Sequence, residues 1–249
     1  MFDDTLSGRR EGIFEIDMRL RPHGRAGPSA SSLAAFAHYY RDGGEAQHYE
    51  RMALVKLRPV AGDDALGRRL VDARDAFVYS GAPVDIENIA HLRHRQATEL
   101  VPRGMLNAKY SHGGLVDVEY YVQACQMSVG HASPNVRAPN TLDAVARLRE
   151  VGHLDSAFAD SAHETYVFLR RLIDALRVVR GNAKDLTIPP VESPEFTYLG
   201  RRLQFESPEQ LRRIVHDRMA FAAQLWQRRL PSVTATTAGH RASGGRETG

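Results

Sequence analysis

From Ile13 to Leu20 the chain alternates. Phe14, Ile16, Met18 and Leu20 fall on one side of an extended backbone, and Glu15, Asp17, Arg19 and Arg21 fall on the other. This period of two predicts a half-buried β-strand over residues 13–21. Pro22, Gly24, Gly27 and Pro28 end it, because proline removes a ladder donor and glycine favours turns. Beyond the turn the spacing becomes helical. Ser31 or Ser32 caps a helix through 33–40, and 46–58 follows with Tyr49, Ala53, Leu54 and Leu57 on one face. Asp63–Asp64 starts a helix to about Tyr79, and another covers 86–101 on Ile86, Ile89, Ala90, Arg93, Ala97 and Leu100. Leu115, Val118, Val122, Cys125 and Val129 predict a helix with a narrow apolar seam. Asn140 caps a helix over 141–151 that Gly152 closes, and a long helix runs over 157–180. Pro189, Pro190 and Pro194 mark a loop, and Ser207–Pro208 opens a last helix over 207–229.

The pattern is lopsided: one strand, then a bundle of roughly six helices. A single strand cannot satisfy its own backbone, so the strand reads as the end of a sheet truncated upstream. Residues 231–249 carry no large apolar side chain after Val233 and read as a disordered tail. The 249 residues suffice for one large or two modest domains, and the net charge of +3 is too mild to argue for nucleic acid. Cys125 is the sole cysteine, which excludes an internal disulfide framework and a cysteine-based zinc site and fits a reducing, cytoplasmic setting. No apolar run approaches a membrane span.

Three stretches carry candidate chemistry. Asp17-x-Arg19-x-Arg21 joins a hard oxygen ligand suited to Mg²⁺ with two arginines able to grip phosphate; a solvated charged strand face gives the same spacing. Gly113–Gly114 precede the seam helix with Lys109, His112, Asp117 and Glu119 nearby, an arrangement that leaves first-turn N–H groups open to an anion or simply starts a helix. His91-x-x-His94 with Arg93 and Arg95 reads as a solvated basic face, because no third metal ligand accompanies the histidines. Cys125, inside the apolar stripe, reads as core.

Taken in order, these residues resemble the glutamine synthetase adenylyltransferase/adenylyl-removing family. The resemblance rests on Asp17-x-Arg19-Leu20-Arg21-Pro22-x-Gly24-x-x-Gly27, Tyr49-Glu50-Arg51-x-Ala53-Leu54-x-Lys56-x-Arg58, Asn107-x-Lys109, Gly113-Gly114-Leu115-x-Asp117-x-Glu119-x-x-x-Gln123, Pro134-x-x-Arg137-x-x-Asn140-Thr141 and Phe168-Leu169-Arg170. It implies an α+β chain: the C-terminal remnant of a nucleotidyltransferase domain over 1–62, a helical bundle of the PII-uridylyltransferase type over 63–230, and the tail. It implies AMP transfer from Mg²⁺-bound ATP to a tyrosine of glutamine synthetase, or its removal by phosphorolysis, under control of the PII signalling protein, with no nucleic acid or membrane partner. Carried over, Asp17 is the catalytic and metal-binding carboxylate, and Arg19, Arg21, Lys56 and Arg58 contact nucleotide or phosphate. The family's upstream G-S-x-x-D-x-D element has no counterpart here, so this chain alone is expected not to transfer AMP. The alternative is a non-catalytic helical module that docks glutamine synthetase or PII.

Overall fold

The computed structural model describes residues 20–227. Among them lie nine α-helices: α1 (Leu33–Tyr39), α2 (His48–Leu54), α3 (Asp64–Val78), α4 (Ile86–Glu99), α5 (Leu115–Val129), α6 (Thr141–Glu150), α7 (Ser156–Arg180), α8 (Pro194–Arg202) and α9 (Pro208–Gln224). Most starts follow from one local device. The side chains of Ser32, Asp63, Asp85, Asn140, Asp155, Ser193 and Ser207 each accept a first-turn N–H that the helix itself cannot satisfy. α8 replaces part of the loop expected around Pro194. Ser193 caps it and Pro194 takes its first position, the same Ser-Pro start that marks α9.

The α+β expectation is corrected. The described residues are helical, and the single extended pairing among them is an isolated antiparallel bridge between Asn107 and Thr187. Residues 13–19 of the expected strand lie outside the described residues. Its last two positions, Leu20 and Arg21, sit in a turn and a bend. Their continuation folds back on itself: Gly24 N–H donates to Arg21 O at 2.8 Å, and a Cβ at Gly27 would stand 2.0 Å from Pro22 O. From residue 33 to 54 the backbone forms two short helices, so no sheet accompanies the alternating segment among the described residues.

α5 is the hub. It packs against α2, α4, α6, α7 and α9, and 12 of its 15 residues are buried. The narrow seam expected from its apolar spacing is therefore a helix covered nearly all round. Its buried polar residues survive by bonding to loops: the Gln126 amide donates to Val136 O at 2.7 Å and Ala138 O at 2.8 Å. Two apolar clusters meet along this helix. The larger joins α5 to α6, α7, α8 and α9; the smaller holds Phe36, Tyr39, Tyr40, Met52, Leu54, Val55, Val78, Tyr79 and Ile89 against Ala124 and Met127 of α5, and so takes residues from both sides of position 62. Trp226 packs against both clusters.

The start of α5 is held by a buried charge pair. Arg93 of α4, 3% exposed, donates through Nε to Asp117 Oδ1 at 2.7 Å and through Nη2 to Asp117 Oδ2 at 3.0 Å. The same guanidinium donates to Tyr110 O and Ser111 O. Asp117 Oδ2 also accepts the Gly113 N–H at 2.6 Å. Gly113 has φ +81°, and a Cβ there would stand 2.0 Å from Met219 O of α9, so the turn needs glycine for both its angle and its close approach. The expected solvated face of α4 holds for His91, His94 and Arg95, which are exposed, but not for Arg93.

Removing one member of a buried pair strands the other. Arg93→Met is expected to lower the unfolding free energy by about 3–5 kcal/mol, read from the urea midpoint, whereas Arg93→Met/Asp117→Leu should recover part of it. A loss below about 1 kcal/mol for the single variant would remove this pair from the framework.

Burial pushes the Cys125 thiol from its ordinary 9.0 up to about 12. A raised folded-state value means the unfolded chain loses this proton first, so the contribution is full below about pH 9 and falls as pH rises towards 12. The native protein at pH 8 should leave a thiol reagent such as 5,5′-dithiobis(2-nitrobenzoate) essentially unreacted until urea unfolds it; a stoichiometric burst without urea would contradict the burial.

Candidate functional site

Of the residues assigned to chemistry by sequence, Asp17 and Arg19 lie outside the described residues. Arg21 is half-buried and clasps its own loop, donating from Nη2 to Gly27 O at 2.7 Å and Arg25 O at 3.4 Å. Arg58 is exposed and makes no hydrogen bond or ion pair with the described residues. Lys56 behaves differently. It follows α2 and reaches the bundle, where Nζ donates to the hydroxyl of Thr141, the first residue of α6, and stands 3.7 Å from Glu119 Oε1 of α5. The Tyr166 hydroxyl of α7 donates to the same Glu119 oxygen at 3.4 Å. Burial pushes the Tyr166 phenol up, which keeps it a donor to Glu119. The structure thus brings Lys56 to Glu119, Thr141 and Tyr166, and not to Arg58.

The Lys56 side chain is 35% exposed, and Glu119 stands at ion-pair distance from its ammonium. Glu119 tempers that charge, Thr141 accepts from the ammonium, and Tyr166 holds Glu119. Sequence reasoning placed Glu119 and Thr141 inside characteristic stretches but could not pair them with Lys56, because no local spacing links residues on three helices. Tyr166 lies within the long helix predicted over 157–180, outside the characteristic stretches.

Of the two readings of the turn at Gly113–Gly114, the simple helix start is the one that the backbone bonds support. The first N–H groups of α5 are already spoken for: Leu115 donates to Ala108 O at 3.0 Å and Val116 to Lys109 O at 3.2 Å. With Gly113 N–H bound to Asp117, the turn before α5 is a structural join. Several other characteristic residues are also internal. Glu50 forms a capping box with Gln47 and accepts the Tyr39 and Tyr40 hydroxyls. Arg51 donates to Val78 O, Ala82 O and Pro83 O, tying α2 to the end of α3. Arg137 donates to Gly130 O at 2.9 Å and to Asp75 Oδ2 at 3.3 Å. Among the described residues no group of three His, Cys, Asp or Glu side chains is placed to hold a metal ion. Nor is any described helix long and apolar enough to cross a membrane.

Residues 5–72 match the family described as glutamate-ammonia ligase adenylyltransferase, and residues 87–227 match that described as GlnD PII-uridylyltransferase. Among curated proteins, the bifunctional glutamine synthetase adenylyltransferase/adenylyl-removing enzyme of Streptomyces coelicolor is 36% identical over 194 residues, 76% of this chain and 19% of the relative. The enzymes of the same name from Rhizobium meliloti and Brucella melitensis are 32% and 28% identical over 78% and 81% of this chain. The chain spans about a fifth of the length of these relatives. With two adjoining family matches and relatives of one name along most of its length, the chain belongs to the glutamine synthetase adenylyltransferase/adenylyl-removing enzyme family.

Proposed function

We propose that this chain is part of a cytoplasmic glutamine synthetase adenylyltransferase, which moves AMP from ATP to a tyrosine of glutamine synthetase, removes it by phosphorolysis, or does both. In transfer, the tyrosine oxygen forms a bond to the α-phosphorus of ATP as pyrophosphate leaves. The observation that carries this reading is the ordered set of family stretches from Asp17 to Arg170, with relatives of that name up to 36% identical across most of the chain. Asp17 is proposed as the carboxylate that holds Mg²⁺ with ATP, together with groups beyond the described residues. Arg19, Arg21 and Arg58 are proposed phosphate contacts. Lys56 is proposed with them; its ammonium is bonded to Thr141 and stands at ion-pair distance from Glu119. PII is proposed as the regulatory partner.

A second reading has its own support. Glu50, Arg51, Asp117 and Arg137 spend their side chains on internal contacts, as they would in a helical module that docks glutamine synthetase or PII without catalysis.

One experiment separates the two. The chain is joined in frame to the upstream segment of the Streptomyces coelicolor relative and incubated with glutamine synthetase, Mg²⁺ and α-labelled ATP. Labelled glutamine synthetase is expected from the joined protein and not from this chain alone. In the joined protein Asp17→Asn should lower labelling by roughly 100-fold or more, and Lys56→Met by about 10-fold. Equal labelling by the parent and Asp17→Asn removes Asp17 from the reaction. Saturable binding of glutamine synthetase or PII with no labelling in any form favours the docking module.

A further inference from the structure

A second hollow lies away from Lys56. It is bounded by the loop at 104–106, the extended segment at 188–191 and one side of α9, and encloses about 620 Å³. Ile188, Phe196, Val215 and Met219 line it and are buried. At its mouth Met105 and Leu106 stay 55% and 42% exposed. The volume falls within the range of small-molecule sites, whose walls are mainly apolar with a few polar groups to fix orientation.

Arg212 is the charged side chain of the lining. Arg212 and His216 of α9 and His112 of the turn before α5 line the hollow, and no acidic side chain does. His216 has Asp217 beside it at 3.2 Å, but Arg212 has no ion-pair partner among the described residues. Arg212 is exposed, so its permanent charge stands at the edge of an apolar recess. The turn that presents His112 is fixed, since Gly113 lies against Met219 O and is bonded to Asp117. The two loops that wall the recess are joined as well, Ile188 N–H donating to Leu106 O at 2.7 Å.

We infer that this hollow binds a small amphipathic anion, its apolar body against Ile188, Phe196, Val215 and Met219 and its acid group on Arg212 with His112 and His216 beside it. The assignment is independent of the reading given to Lys56. A carboxylate is the simplest such head, because its two oxygens match the guanidinium fork. Ala220 and Ala223 also line the hollow and keep it open along α9, where larger side chains would fill it.

The test is titration calorimetry on the full chain with decanoate and, as the matched cation, decyltrimethylammonium, both below their micelle concentrations. Saturable one-to-one binding of decanoate is expected, at least about 10-fold tighter than the cation. Arg212→Glu should erase or reverse that preference. Ala220→Phe should weaken decanoate binding by about 10-fold or more while circular dichroism and thermal unfolding match the parent; if that variant does not fold, Ala223→Phe takes its place. Absence of saturable decanoate binding overturns the assignment and fits instead a face covered by another polypeptide. Equal binding of the cation, or binding indifferent to both alanine replacements, overturns it too.

Discussion

The ion pair between Arg93 and Asp117 is the constraint around which the described chain is arranged. Two opposite charges almost without solvent are costly to bury, and they persist only when each remaining donor and acceptor is used. Here they are. The guanidinium spans both carboxylate oxygens and two carbonyls of the turn, and the carboxylate also takes the Gly113 amide. Three elements are fixed at once: α4, the start of α5, and the turn that lies against α9. Because α5 contacts five other helices, fixing its first turn sets the frame for both apolar clusters.

The family's characteristic residues gain a physical meaning from this arrangement. In sequence they look like separate signatures. In space several are halves of contacts: Lys56 meets Thr141 and Glu119, Arg51 holds the end of α3, and Arg137 reaches Asp75. The segment around α1 and α2 is thereby joined to the bundle by polar bonds as well as by the Phe36–Met52–Val78 cluster. Any ligand gripped by Lys56 would be felt at the start of α6, since the same ammonium is bonded to that helix's first residue.

Helix positions were largely legible in the sequence because capping is local. Asn140, Ser207 and Asp63 announce helices by a side chain that accepts from residues two or three places on, and each does so. The same local rule applied at Ser193–Pro194 would have found α8, but neighbouring prolines suggested a loop. What period could not reveal was the surroundings. Arg93 shares a helical face with Ile89, a sign that it points inward, yet its partner Asp117 lies on another helix and no spacing ties them. The strand pattern at 13–21 was a sound local observation whose extension to a mixed fold failed, since the residues after it close into turns and helices. The choice between an anion site and a plain helix start at Gly113–Gly114 stayed open for a similar reason: the amides are spoken for by carbonyls of the preceding turn, which sequence alone does not position.

Trp226 closes the described chain in a short 3₁₀ turn and is the sole tryptophan in the sequence. Its ring meets Tyr121 edge-on at 6.1 Å, and it touches both apolar clusters. The protein therefore carries an intrinsic optical gauge at the seam where its halves join. A change in indole emission would register loosening on either side, while a comparison with the far-ultraviolet signal would tell parting of the two clusters from melting of the helices themselves.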